Sequence, residues 1–427
     1  MFIRTEFDDI LDCLREDDDY QKRPPQGPPT DLPTLSEEDL ADLKGELSGK
    51  QLQESTGLQR YAYKTIEPLT EGDLKLKELT FPCKEDLKYV NICGIDGSNQ
   101  KVERGLFYFI LARSAFVNFK YSTDGSKPYA QEKTRDFSAM VQVDGNIFNE
   151  NLTNSCQTAP ATSDISLLPI VEGSNQKPLR VAYDPSKSDK NPKSHALGWA
   201  VKLQQALELA AIEDVDYQSG KDTICIRDGP LFSTSVTPVD VIDGLKKTKK
   251  WNKNQVLISS SKRVSESTLL VEALLNPAGK SLRDYWFQGQ NIIDATLKTV
   301  ATDMLLLPKI LKPGHRTPLM AAVPRARSAV VDKDPDLTPL VCYYYSRTRP
   351  HTFIRLEVPK FMWERDKEMV NRGLQITAWQ HELGRKAPLV QIFADKFSQL
   401  YSEKLILERK TNRKLKERRL TLPEEYE

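Results

Sequence analysis

Apolar positions recur along this chain in two rhythms, one helical and one of strand type. In residues 2–20, Phe2, Ile3, Phe7, Ile10, Leu11 and Leu14 fall mostly on one face at helical spacing, with acids opposite. The run Arg23-Pro24-Pro25-Gln26-Gly27-Pro28-Pro29 stops any helix and forms a stiff linker. Ser36-Glu37-Glu38-Asp39 has N-cap chemistry and opens a second helix to about residue 53. Residues 1–60 hold too little apolar content for a core of their own. They form a helical extension that docks either on the main body or on a partner.

Strand patterning begins at Tyr89-Val90-Asn91-Ile92-Cys93-Gly94-Ile95-Asp96. A turn at Gly97-Ser98-Asn99-Gln100 and a long aromatic and β-branched run, 105–117, then predict an antiparallel hairpin. Residues 120–194 are polar, with strand-like pieces such as Ala139-Met140-Val141-Gln142-Val143, and read as an insertion with mobile loops. Helical spacing returns over 194–213. A strand over 223–228, a turn at Gly229-Pro230, a helix over 237–246 and a strand over 256–259 follow. Further strands are predicted at 340–345 and 353–358, and closing helices near 364–372 and 388–418. Strands alternating with helices after an opening hairpin indicate a mixed α/β sheet. There is no internal repeat.

Composition narrows the classes. The 427 residues suggest about three units of ~150 residues, or one elaborate α/β domain with extensions. The reading taken is an extension over 1–60 and one domain over 61–427, whose C-terminal helical part spans about 364–420. Lys+Arg number 61 and Asp+Glu 60, so any nucleic-acid contact must come from local basic patches. Mean hydropathy is −0.51, and no long uncharged apolar run predicts a membrane span. No secretory signal is recognisable, and the six cysteines include no CxxC pair. A cytoplasmic protein with reduced thiols is expected.

Two local motifs are decoys. Gly279-Lys280-Ser281 resembles the end of a phosphate-binding loop, but Leu274 stands where its second glycine belongs. His381-Glu382 begins like a zinc-protease helix motif, but Arg385 stands where its second histidine belongs. The stronger signal is a pair of acidic strand ends. Asp96 and Asp228 each close an apolar strand and precede glycine. A carboxylate there is rigidly held at the sheet edge where α/β folds place ligands, and the glycine leaves room for one. Two such carboxylates repel, and a hard divalent cation neutralises them through oxygen ligation. Taken alone, each Asp-Gly also reads as a turn. The intervening helix offers two further acids, Glu208 among apolar residues and Glu213 near the helix end; Glu208 is the preferred candidate.

Gly94-Ile95-Asp96-Gly97-Ser98, Asp228-Gly229-Pro230-Leu231 and Arg355-Leu356-Glu357-Val358-Pro359, in that order, resemble the NurA nuclease family over about residues 89–400. The resemblance implies an RNase H-like core and a manganese- or magnesium-dependent nuclease with two ions, acting as a 5′-to-3′ exonuclease and single-strand endonuclease. It implies work in DNA-end processing, a homodimer, and a hexameric ATPase partner, HerA. Carried over by position, Asp96, Asp228 and Glu208 become metal ligands. Asp395 stands where the family often has histidine. Lys262 resembles the family's strand-end lysine and would hold a phosphate or transition-state charge. Two ions roughly 4 Å apart would activate water, clamp the scissile phosphate and assist the leaving oxygen.

Candidate DNA contacts are Lys249 and Lys250 in a basic run with Trp251, and Tyr345, Arg347 and Arg349 in a segment that interleaves rings with cations. Arg355 is added from the third motif. The rivals are a catalytically inactive relative that caps a translocase ring or binds DNA ends, and a nuclease for RNA or hybrids. Break repair and anti-phage defence remain open as roles.

Overall fold

The computed structural model describes residues 63–68, 76–82, 84–87, 89–104, 107–120, 129–142, 147–148, 164–167, 179–182, 192–215, 221–232, 238–262, 264, 267–275 and 302–400. The helices expected at 2–20 and 36–53, the proline linker, the Gly279-Lys280-Ser281 decoy and the chain after residue 400 lie outside the described residues.

In chain order, β1 (Tyr63–Pro68), β2 (Lys77–Glu78) and α1 (Lys84–Leu87) precede three long strands, β3 (Val90–Arg104), β4 (Phe107–Lys120) and β5 (Tyr129–Gln142). β6 (Ile147–Phe148), β7 (Asp164–Leu167) and β8 (Leu179–Ala182) lead to α2 (Pro192–Ala211). Then come β9 (Asp222–Asp228), α3 (Pro238–Lys246), β10 (Gln255–Ser261), α4 (Leu269–Leu275) and α5 (Asp303–Ile310). β11 (His315–Arg316), β12 (Met320–Pro324) and α6 (Ser328–Lys333) precede β13 (Pro339–Tyr345) and β14 (Phe353–Pro359). Helices α7 (Lys360–Arg365), α8 (Lys367–Gly384) and α9 (Leu389–Ser398) complete the described chain.

One mixed sheet organises these elements in the order β1-β12-β13-β14-β10-β9-β3-β4-β5-β6. β9 runs parallel to β3 and β10, and the other pairings are antiparallel. β10 and β13 are buried at every residue, and their apolar stretches, 256–258 and 340–345, are accordingly continuous rather than alternating. α2 packs on β3 and β4 from one side and α9 from the other. Ile92, Ile95, Ile224, Ile226 and Phe393 share the core between them, each side chain contributing about 1.5–3 kcal/mol by leaving water. The α/β class and the mixed sheet flanked by helices are as expected.

Three expectations change. Gly97-Ser98-Asn99-Gln100 is not a turn: β3 continues through it, with Gly97 opposite Ser114, and the chain reverses between Arg104 and Phe107. The physical reason is close packing, since a Cβ on Gly97 would lie 2.8 Å from both Gln204 Cγ and Glu208 Oε1. Asp96 is therefore inside a strand, not at its end. Secondly, the polar stretch 120–194 contains β5, which pairs with β4 along its whole length and belongs to the main sheet. Thirdly, the helix expected at 364–372 is two helices, broken at Asp366, whose side chain accepts from Met369 N (2.9 Å) and caps α8.

Candidate active site

β3 and β9 are in parallel register, with Ile95 beside Arg227, so Asp96 and Asp228 follow as neighbours at one sheet edge. Strand alternation sends Gly94, Asp96 and Ser98 toward α9, and Gly97 and Asn99 toward α2. The contacts agree: a Cβ on Gly94 would lie 2.6 Å from Val390 O, and Ser98 Oγ donates to Ser398 O. Asn99 Nδ2 donates to Gln204 Oε1 on the opposite face (2.5 Å).

Asp96 is buried, 3% exposed, and its Oδ1 accepts from Gly97 N (2.7 Å). Among the described residues its Oδ2 has no hydrogen-bond partner, nor does the buried Oδ1 of Asp228. Burial, then the carboxylates of Asp228 and Glu208, push Asp96 well above the usual carboxylate range; Lys262 opposes and Asp395 adds to the rise. Burial also raises Asp228, against Lys262 and Arg227. Lys262 Nζ lies 3.8 Å from Asp228 Oδ2 in a half-exposed pair. Asp228 is followed by Gly229 at φ +81°, a backbone conformation that favours glycine. Gly229 N donates to Ser260 O (3.0 Å), and Leu231 N to Glu357 Oε2 (2.8 Å). Arg355 Nε lies 2.8 Å from Glu357 Oε1, behind that turn.

Glu208 is buried on α2. Its Oε2 accepts from Arg227 Nη2 (3.1 Å) and its Oε1 from Gln204 Nε2 (3.0 Å). Burial raises its proton affinity, and the Arg227 charge opposes that most strongly. Glu213, by contrast, is exposed and pairs with Lys247 at 2.7 Å. Asp395 is exposed on α9, within electrostatic reach of Asp96 and Asp228.

The DNA-contact candidates are largely committed to the fold. The β13–β14 turn does lie at the carboxylate edge, because Arg355 pairs with Ser261 on one side and Tyr343 on the other. But Tyr345 is buried, with its ring 4.4 Å from that of Phe353, and offers no free face for a base. Arg347 Nη2 donates to Glu78 Oε1 (2.9 Å) and its guanidinium covers Phe81. Arg349 Nη2 donates to His381 O (2.7 Å) and Glu382 O (3.0 Å). Lys249 and Lys250 precede β10, at the edge opposite the carboxylates. Lys249 binds Asp334 and Asp336 there, at 2.8 and 2.9 Å. Of the seven positions, Lys262 is the one that pairs with Asp228; Arg355 is in register with Ser261 on the neighbouring β10 and pairs with Glu357.

Sequence reasoning missed Arg227, Gln204 and Gln391. Arg227 had a signal: a lone cation within the apolar strand Thr223-Ile224-Cys225-Ile226-Arg227 requires a buried acceptor. Gln391 accepts from Ser260 Oγ (2.8 Å), and Ser260 is in register with Asp228. No sequence feature singled it out.

Among the described residues no group of three or more His, Cys, Asp or Glu side chains is gathered closely enough to hold a metal ion. The two orphaned carboxylate oxygens of Asp96 and Asp228 nevertheless fit a hard divalent cation, which takes oxygen ligands and removes their mutual repulsion. Glu208 is held by Arg227 instead, and Asp395 stands at the solvent side.

A mixed α/β domain with a carboxylate centre at its parallel strand edge is thus defined. The model of the NurA domain matches residues 90–406, so the chain belongs to the NurA family, and a nuclease function goes with that membership. Among solved structures the chain is similar to the NurA nuclease from Sulfolobus solfataricus, at 12% identity and TM-score 0.40, covering 92% of this chain and 95% of that one. It is also similar to a NurA crystallised with manganese, at 10% identity and TM-score 0.33, covering 88% and 96%. No curated protein matches.

Proposed function

We propose that this NurA-family chain is a cation-dependent deoxyribonuclease in which Asp96 and Asp228 hold the metal. The observation that carries the reading is the pair of buried, unpartnered carboxylate oxygens, Asp96 Oδ2 and Asp228 Oδ1, at neighbouring strand positions. Glu208 and Asp395 complete the acidic set, and Lys262 beside Asp228 meets the scissile phosphate. Bound Mn²⁺ or Mg²⁺, two ions in the full site, would supply an activated water and neutralise phosphate charge. The chain's own part is to present one oxygen of Asp96 and one of Asp228 without a competing hydrogen bond. The polarity, 5′-to-3′ on ends and endonucleolytic on single strands, the homodimer, and the role in repair or phage defence belong to the same proposal.

The test uses purified protein on 5′- and 3′-labelled single- and double-stranded DNA with Mn²⁺, Mg²⁺ or EDTA. Cleavage with a cation and none with EDTA is expected; equal cleavage in EDTA overturns the metal role. A chain that binds DNA ends but cuts with neither cation is the inactive scaffold. The closure of Glu208 on Arg227 favours that second reading. A HerA-type ATPase is the proposed motor, with residues 2–20 as its docking element. Deleting residues 1–30 should abolish co-elution with the ATPase while single-strand cleavage persists; retained co-elution overturns the docking role. Among the described residues no helix is long and apolar enough to cross a membrane.

A further inference from the structure

Arg227 is 1% exposed, and a buried guanidinium carries a large desolvation cost unless its hydrogens are taken up. Its two terminal nitrogens go to two different elements. Nη2 donates to Glu208 Oε2 on α2 (3.1 Å), and Nη1 donates to Pro230 O in the turn after Asp228 (2.9 Å). The second oxygen of Glu208 is fixed as well: Gln204 Nε2 donates to it and also to Gly97 O (2.8 Å) on β3. One planar fork therefore joins the helix-borne acid to the turn that aims Asp228. Because Arg227 and Asp228 are consecutive on β9, they project to opposite faces of the sheet. The same strand end thus presents one carboxylate to the α9 side and holds another carboxylate on the α2 side.

We propose that Arg227 is a positioning residue of the centre: its bidentate bridge between Glu208 and the Pro230 carbonyl sets the helix carboxylate relative to Asp96 and Asp228. The inference rests on the proposed metal role of Asp96 and Asp228. Lysine keeps the charge but is a compact ammonium that lacks the planar fork, so it cannot reproduce the two-element bridge.

The experiment measures Mn²⁺ binding by calorimetry on the full chain without DNA, for wild type, Arg227→Lys, Glu208→Gln, the double variant and Asp96→Asn, with melting temperatures alongside. Arg227→Lys is expected to weaken Mn²⁺ binding about 10–100-fold, the range for outer partners of metal ligands, with the fold retained. If the bridge acts through Glu208, Arg227→Lys adds little in the Glu208→Gln background, in both Mn²⁺ affinity and the kcat for single-strand cleavage. Wild-type Mn²⁺ affinity in Arg227→Lys overturns the proposal. So does a loss that adds in full to that of Glu208→Gln, since Arg227 would then act independently of Glu208. Should Arg227→Lys not fold, Arg227→Gln, which keeps a planar donor toward Glu208, is put through the same comparison with the same outcomes. Wild-type Mn²⁺ binding in Asp96→Asn would sink the metal reading itself and the inference with it, whatever Arg227 does.

Discussion

Asp303 and Asp96 are both buried aspartates, and their surroundings differ in kind. Asp303 starts α5 and is fully buried. Its Oδ1 accepts from Leu270 N (2.9 Å) and Val271 N (3.1 Å), and its Oδ2 from Ser267 Oγ (2.6 Å) and Tyr343 Oη (2.5 Å). Burial raises its proton affinity, and those four donors all pull it back. Asp96 has the backbone N–H of Gly97 on one oxygen and, among the described residues, nothing on the other, and three of its charged neighbours are acids. Burial is the same in both places; satisfaction is not. A carboxylate with every lone-pair direction filled ties α4, α5 and β13 together, whereas one left with an empty direction beside a second such acid is open to a cation.

The largest expected effect breaks this contrast directly. Asp96→Asn or Asp228→Asn should lower cleavage by on the order of 10²–10³-fold, the loss attached to removing one preorganised electrostatic group. Their melting temperatures without cation should not fall, because the change removes one of two like charges. Wild-type cleavage in either variant takes that residue out of the centre. Asp303→Ala should behave in the opposite way. It strands two backbone donors and two hydroxyls, and should cost about 2–5 kcal/mol of stability in urea unfolding while the folded fraction still cuts. If Asp303→Ala left stability intact but abolished cutting, the contrast between the two aspartates would collapse.

A smaller effect separates two acids of one helical segment. Glu208 is buried against Arg227, and Glu213 forms an exposed pair with Lys247. Glu208→Gln should reduce cleavage about 10–100-fold, as loss of an oriented ligand or its support does. Glu213→Gln should leave the rate unchanged and alter stability by less than about 1 kcal/mol, as exposed ion pairs do. Steady-state rates on a labelled single strand decide the ranking, and the reverse order would move the helix-borne acid to Glu213.

What the sequence made legible follows the same division between saturated and unsaturated groups. β9, β10, β13 and β14 were readable to within two residues of their bounds because each carries a buried, largely apolar and β-branched or aromatic segment. The Asp96 and Asp228 pair was readable because an acid closing such a run is costly without a purpose. Gly97-Ser98-Asn99 was misread because close packing against a helix and a tight turn both select glycine, and only the contact with Gln204 and Glu208 distinguishes them. β5 was misread because its polar residues resemble a loop, and its pairing with β4 is a long-range fact that local pattern does not carry. Tyr345, Arg347 and Lys249 have the composition of a DNA surface. Phe353, Glu78 and Asp334 claim them in the fold, and those partners are distant or unmarked in sequence.

The smallest expected effect sharpens the comparison by titration. Asp96 is raised in the folded protein above its unfolded value, so the unfolded chain loses its proton first as pH rises. Below the ordinary carboxylate range, near 3.9, both states are protonated and the group contributes no difference. As pH climbs from there through the raised folded value, the folded state forfeits stability relative to the unfolded one, and the full cost is present above it. Asn at position 96 does not ionise and escapes that cost. In EDTA, therefore, Asp96→Asn should melt slightly above wild type at neutral pH, and the gap should close on acidification toward the ordinary range. Mn²⁺ should reverse the order at neutral pH, because binding to the wild-type pair stabilises the folded state and the variant lacks a ligand. Melting curves across pH, with EDTA and with Mn²⁺, read all three arms. A gap that keeps one sign and size across pH and ignores Mn²⁺ would mean that Asp96, like Asp303, is held for packing, and its empty oxygen would have no bearing on function.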